Sequence, residues 1–285
     1  MEYEKLLSDL EEIGEEIRKS KVSFDSLYEI YINSGKRTAL YTENGKIKIG
    51  NPIPQNKIRD IFAALCEYSV HTYKDEICEG YITSKGGFRI GICGTALYQN
   101  EKIIGIKDIS ALNIRIPHEV IGSAEKIAEL YKNCGILIVG PPCCGKTTVL
   151  RDFSRIVSMD KKTVIIDERS EIAALNHGIP FFDIGEASIM NEFKKSDGMI
   201  RAVRSMGPEI IVCDEFGGTE DIESAFYAMK SGAFIVASAH AFDEDDFITK
   251  PFSKEIIKSG IFKFFVFLGK DKKIKTIKTS KELIS

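Results

Sequence analysis

The chain lacks any apolar run near the roughly 18 residues that a membrane-spanning helix requires. Its opening stretch, MEYEKLLSDLEEIGEEIRK, is too charged for a signal peptide, so the expected location is the cytoplasm. A surplus of either charge is also missing. With 39 Lys and Arg against 42 Asp and Glu, the formal net charge is -3, which gives no global pull towards nucleic acid or an anionic membrane. The seven cysteines are an odd number at irregular spacings, and Cys66, Cys78, Cys93, Cys134 and Cys213 sit in apolar segments. Buried free thiols are expected there, and no structural disulfides. What remains is an ordinary composition, 44% hydrophobic and 28% charged, in 285 residues, which is room for a sizeable core and two domains.

The densest chemistry lies in GPPCCGKTT, residues 140–148. Gly135 to Val139 upstream is a short, continuously apolar run, the mark of a strand buried on both faces of a parallel sheet. Downstream, Val149, Leu150, Phe153, Ile156 and Val157 recur at helical spacing. A strand, a glycine loop and a helix are the context required of G-x-x-x-x-G-K-[ST], matched by Gly140, Gly145, Lys146 and Thr147. Such a loop aims unpaired backbone N–H groups and the helix dipole at one anion. Lys146 would then reach the β and γ phosphates and the Thr147 hydroxyl would ligate Mg²⁺. Gly140, Pro141, Pro142, Cys143, Cys144, Gly145, Lys146, Thr147 and Thr148 are therefore the expected nucleotide loop. A zinc site needs about four ligands, and no further cysteine or histidine lies within a few residues of the Cys143–Cys144 pair. Cys143 stands where many such loops have glycine, so a strained backbone is expected at it. An Asn-Lys-x-Asp guanine motif is absent, which favours ATP.

The first 120 residues or so carry no nucleotide motif. Leu6, Leu7, Leu10, Ile13 and Ile17 predict one amphipathic helix, and Thr38 to Ile49 a hairpin turned at Asn44-Gly45. Pro54 can open a helix running as far as His71. The stretches GYITSKGGFRIGICG and KIIGIKDISALNIRIP read as antiparallel strands. From about residue 123 strands alternate with helices: 163–166, 209–213 and 233–239 are apolar runs. A helix between the last two shows Ile222, Ala225, Phe226 and Met229 on one face and stops at Gly232. The expectation is an α/β protein, a smaller α+β domain over 1–122 followed by a mostly parallel sheet with helices on both faces over 123–285.

Ligands of such sheets sit at the carboxyl ends of the strands. Asp214 and Glu215 close one strand: Asp214 can hold the Mg²⁺, directly or through water, and Glu215 can orient a water for in-line attack. Asp167, Glu168 and Glu171 form a second acidic cluster in IIDERSEIA, where Glu168 competes for the catalytic role. His240 closes FIVASAH; spacing alone gives it no role beyond that of a loop residue.

GPPCCGKTT, VIIDERSEIAA, RAVRSMGPEIIVCDEFGGTEDIESA and SAHA together resemble the secretion ATPases of type II and type IV systems, most of all their sporulation branch; GYITSKGGFRIGICG and LNIRIP carry the likeness over most of the chain. The resemblance implies a RecA-like P-loop NTPase core, ATP and Mg²⁺ as cofactors, and a homo-oligomer, a hexameric ring. That ring would act at the cytoplasmic face of the membrane on an embedded secretion or channel complex, in the sporulation branch one that joins mother cell to forespore. It matches IIDERSE to an acidic box, making Glu168 and Glu171 candidates for polarising water or metal, and SAHA to a histidine box, making His240 a γ-phosphate sensor. It offers Arg89, Arg115, Arg201 and Arg204 as arginine-finger candidates.

Two departures accompany it. Asp214 stands where the wider family has glycine, and Gly218 where it has an arginine, whose task is left open. A nucleic-acid-stimulated ATPase is a competing reading, with Lys270, Lys272, Lys273, Lys275, Lys278 and Lys281 as phosphate contacts. A solvated edge hairpin explains those lysines better, no aromatics interleave them, and nucleic acid is not an expected partner. A scaffold ring that binds ATP and hydrolyses it little is the remaining alternative.

Overall fold

The computed structural model describes residues 2–84, 86–176 and 178–284. Lys85, inside a stretch read as strand, lies outside them. The chain divides into two compact units, one of residues 1–118 with 176–179 and one of 119–175 with 180–285.

The first unit is an antiparallel sheet covered by helices. Its strands are β1 (Leu27–Asn33), β2 (Arg37–Thr42), β3 (Gly45–Pro52), β4 (Tyr81–Ser84), β5 (Phe88–Gln99) and β6 (Lys102–Arg115), in the order β3-β2-β1-β6-β5-β4. Inward residues at alternate positions, such as Ile30 and Ile32 or Ile90 and Ile92, build one core with the helices α1 (Glu2–Asp9), α2 (Glu12–Ser20) and α3 (Gln55–Leu65). Helix α4 (Lys74–Cys78) follows.

Four local expectations need correction here. Leu6 to Ile17 make two helices, broken where Glu11 takes φ 49°, so that Gly14 packs on the Leu7 carbonyl; all five apolar residues remain buried. The hairpin turns on Glu43-Asn44, because Gly45 is already paired with Thr42. The helix after Pro54 stops at Leu65, since Glu67 and Tyr68 are left-handed, and His71 falls in a separate 3-10 turn. Cys93, expected buried, is exposed on β5, whereas Cys66, Cys134, Cys144 and Cys213 are buried.

A short ribbon, β9 (Leu175–Asn176) and β10 (Ile179–Pro180), intervenes within the part of the chain that otherwise makes the second unit. That unit holds α5 (Glu125–Leu130), β7 (Gly135–Gly140), α6 (Lys146–Val157), β8 (Thr163–Asp167), β11 (Ser188–Asn191), α7 (Lys195–Ser205) and β12 (Ile210–Cys213). It continues with α8 (Thr219–Lys230), β13 (Phe234–His240), α9 (Glu244–Thr249), α10 (Pro251–Ser259), β14 (Phe262–Leu268), β15 (Ile274–Thr279) and α11 (Ser280–Ile284). The sheet order is β11-β8-β12-β13-β7-β14-β15, parallel throughout except for the antiparallel edge strand β15. Strands β7, β8 and β12 are buried at every position, as continuous apolar runs between helix layers must be.

Helix α8 buries Asp221, Ile222, Ser224, Ala225 and Ala228 and leaves Phe226 exposed, unlike the face expected of it. Small residues let it approach α7, where the Ser224 hydroxyl meets the Met199 sulfur at 3.4 Å. Among the described residues no helix is long and apolar enough to cross a membrane.

Candidate functional site

β7, β13, β12 and β8 lie side by side and run the same way, so their carboxyl ends form one rim. The loop after β7 enters α6 through Gly145 at φ 92°, and Cys143 takes the left-handed φ 61° that its non-glycine side chain makes costly. The two cysteines diverge: Cys144 packs in the core with Ile138 and Val149, where burial pushes its thiol pKa up, while Cys143 is exposed. Lys146 folds back into the loop and donates to the carbonyls of Gly140 and Pro141, each at 2.9 Å. Burial pulls its pKa down, against the opposing pull of Cys144, Asp214 and Glu215.

Thr147 Oγ1 donates to Asp214 Oδ2 at 2.7 Å, joining the loop to the end of β12. The other Asp214 oxygen accepts from the Glu215 amide at 2.8 Å and from the Ser238 hydroxyl. Glu215 is itself left-handed, φ 48°, and its carboxylate meets Arg169 at 2.9 Å and His240 Nε2 at 3.1 Å. His240 Nδ1 lies 3.1 Å from Lys146 Nζ. An ammonium has only protons to give, so Nδ1 accepts from it, and the ring proton sits on Nε2, where it donates to Glu215. The imidazole therefore links the loop lysine to the glutamate.

The second acidic cluster divides by function. Asp167 is buried and accepts from the amides of Glu171, Ile172 and Ala173 at 2.9, 3.0 and 2.9 Å. Burial raises its pKa and those three N–H groups oppose the rise. Arg151, on α6, donates to the Ile172 carbonyl at 2.6 Å and the Glu171 carbonyl at 2.9 Å, and lies over the Phe182 ring at 3.3 Å. Burial brings its pKa down to about 10. Asp167 and Arg151 thus fix the backbone of the loop that presents Glu168 and Glu171. Glu168 pairs with Lys195 of α7. Asp167, Glu168, Arg169, Glu171, Lys195, Asp214 and Glu215 line one cleft.

Residues 3–282 match the family described as sporulation stage III, protein AA. The chain belongs to that family. It is 36% identical over 222 residues to stage III sporulation protein AA of Bacillus subtilis (strain 168), covering 74% of this chain and 72% of that one. Among solved structures it is similar to the ATPase DotB of Legionella pneumophila, with TM-score 0.57 and 14% identity over 86% of this chain and 72% of that one. It is also similar to the pilus retraction motor PilT with bound ADP, with TM-score 0.60 and 17% identity over 90% and 77%. At those identities the likeness establishes the fold, an α/β secretion-ATPase fold with an antiparallel sheet ahead of the mostly parallel one.

The structure thus gathers Lys146, Thr147, Asp214, Glu215, Glu168, Glu171 and His240 of this family member at one rim. None of the four arginine candidates is among the residues lining the cleft. Arg89 and Arg115 are register partners on β5 and β6 in the first unit, Arg89 over the Tyr81 ring and Arg115 3.8 Å from Glu29. Arg201 and Arg204 border a groove with Met190, Phe193 and Ile200 along α7 and β11 and do not line the cleft. Sequence reasoning missed Arg169, Lys195 and Ser238. Arg169 lay inside the quoted DERSE, and Ser238, two positions before His240 on a strand, had to share its face; nothing local pointed to Lys195.

Proposed function

We propose that the chain is the ATP-hydrolysing subunit of a homo-oligomeric ring, a hexamer, which energises a membrane-embedded secretion or channel complex during sporulation from the cytoplasmic side. The observation that carries the reading is the 2.7 Å contact between Thr147 and Asp214. It brings a hydroxyl and a carboxylate, hard oxygen donors of the kind Mg²⁺ takes, to the mouth of the phosphate loop. Mg²⁺ held there would neutralise charge on the β and γ phosphates of ATP.

The chain's own groups supply the rest. The loop amides and Lys146 hold the phosphates, and Glu215, left-handed and clamped by Arg169 and His240, orients the attacking water. Its link to Lys146 through the imidazole favours Glu215 over Glu168 as the main catalytic glutamate and supports His240 as the group that senses the γ phosphate. Arg169, paired with Glu215, takes the task that the glycine at 218 leaves open, and Glu171 polarises water or metal from the anchored loop. Arg201 and Arg204, which line a different groove from the cleft, and Arg89 and Arg115, which belong to the first unit, are the candidates to act on a neighbouring subunit's nucleotide.

The test is steady-state ATP hydrolysis across a protein-concentration series, with and without single-stranded nucleic acid, with Glu215→Gln as the blank. Specific activity that climbs with concentration and ignores nucleic acid supports a shared site in a ring. Activity that depends on nucleic acid refutes the motor reading in favour of a translocase; activity indistinguishable from the blank throughout leaves a scaffold, or a motor that turns over only with its membrane partner.

A further inference from the structure

The lysines of the β14–β15 hairpin have no role in the reading above. Two of them are already neutralised, Lys275 by Asp271 at 2.7 Å and Lys278 by Glu244 at 3.4 Å, as befits a solvated edge strand. Lys272 differs. It sits in the tight turn between the strands, its amide donating to the Gly269 carbonyl at 2.9 Å, and it takes φ 60°, a conformation that costs a lysine energy and a glycine almost none.

Its side chain lies against the phosphate loop. A Cβ on Gly145 would meet Lys272 Cγ at 3.9 Å and Cβ at 4.0 Å. Topology explains the proximity: β14 runs parallel to β7 as its neighbour, so the turn after β14 and the loop after β7 leave the same end of the sheet. At the strand ends the two backbones are in close approach, a Cβ on Gly140 falling 3.0 Å from the Leu268 carbonyl oxygen. Among the described residues Lys272 has no ion-pair partner.

We infer that Lys272 is a second cation of the phosphate site, reaching over the loop from the β14–β15 turn to pair with a phosphate of the bound nucleotide. The inference rests on the nucleotide reading of the loop. Two lysines converging on one loop repel each other, and an anion between them turns that repulsion into attraction for both. A strained left-handed residue persists where it serves to aim a side chain, and here the aim is at the loop. The chemistry recognised is a phosphate monoanion or dianion, which a nucleic-acid backbone also offers, so the experiment separates the two sources.

Lys272→Gly removes the cation and relaxes the turn at once, which gives opposite effects on stability and binding. It is compared with wild type, Lys272→Arg, Lys146→Ala and the neighbouring Lys273→Gly. Each is titrated with mant-ATP, mant-ADP and a labelled single-stranded oligonucleotide, and melted thermally. Lys272→Gly is expected to melt no lower than wild type yet bind both nucleotides about tenfold or more weakly, the worth of one charge-assisted contact. Lys272→Arg should keep most of the affinity and Lys273→Gly all of it. Nucleotide affinity of Lys272→Gly within about twofold of wild type, with binding lost in Lys146→Ala, overturns this inference alone. Normal binding in Lys146→Ala overturns the loop reading and this inference together. Loss of oligonucleotide binding in Lys272→Gly with nucleotide affinity intact also overturns it and gives the turn to nucleic acid.

Discussion

Asp167→Asn tests whether the second acidic cluster is held by a buried carboxylate or merely contains one. Asp167 accepts three backbone N–H groups, one on Oδ1 and two on Oδ2. Asparagine keeps a single acceptor oxygen and turns an NH₂ towards at least one of those donors, leaving it buried and unpaired. A hydrogen bond to a charged group contributes about 1.5–3 kcal/mol. Losing one or two of them, partly offset by no longer burying a charge, leaves a local cost of about 2–4 kcal/mol. The natural assay is hydrogen exchange at the amides of Glu171, Ile172 and Ala173, which reports local opening without requiring the two units to unfold together. A cost of that size should speed exchange there by roughly 30-fold to several hundred-fold, at about tenfold per 1.4 kcal/mol. ATP turnover should fall in parallel, because the same loop presents Glu168 and Glu171. Unchanged exchange at 171–173 in a folded variant would refute the anchoring role.

Ser238→Ala removes the hydroxyl that donates to Asp214 and accepts from the Glu215 amide at 3.1 Å; the Mg²⁺ concentration for half-maximal hydrolysis should rise about tenfold or more, and an unchanged requirement counts against Asp214 as the metal ligand. In the first unit, burial pushes the Cys66 thiol from 9.0 up to about 12. A raised folded-state value stabilises fully below pH 9 and is lost as pH climbs towards 12, so by pH 10 the loss is about 1.4 kcal/mol. Urea titrations at both pH values should show that slope in wild type and a shallower one in Cys66→Ala; equal slopes contradict it. Gly14→Ala would place a Cβ 1.8 Å from the Leu7 carbonyl oxygen. Backbone cannot yield as a side-chain tip can, so a loss of about 2–3 kcal/mol in the same titration is expected, and near-neutrality would show that α1 and α2 move apart freely.

Much of the site was legible because it is local. A strand buried on both faces, a glycine at the loop's left-handed entry to α6 and a lysine immediately after are consecutive residues, and each constrains the next. The acids of DERSE and DEF were legible as strand ends for the same reason. Their division of labour was not, since whether a carboxylate faces a cleft or folds back on three amides depends on which backbone groups surround it. Asp167 and Glu168 are adjacent, yet one is buried under its own loop and the other pairs with Lys195. The single helix expected over Leu6 to Ile17 failed similarly: apolar spacing marks what is buried but is blind to a left-handed residue that reverses the path between two buried stretches.

By itself, then, the sequence determined the sheet's character, the glycine loop between β7 and α6, the acids at the strand ends and the family. Only the tertiary structure decided the order of the strands. β13 lies between β7 and β12, which sets Ser238 and His240 between the loop lysine and Glu215, and β14 lies on the other side of β7, which brings Lys272 to Gly145. Parallel strands buried on both faces are nearly interchangeable in composition. Their neighbours are chosen by crossover connections and helix packing summed over the whole unit, and no residue within a strand encodes that choice.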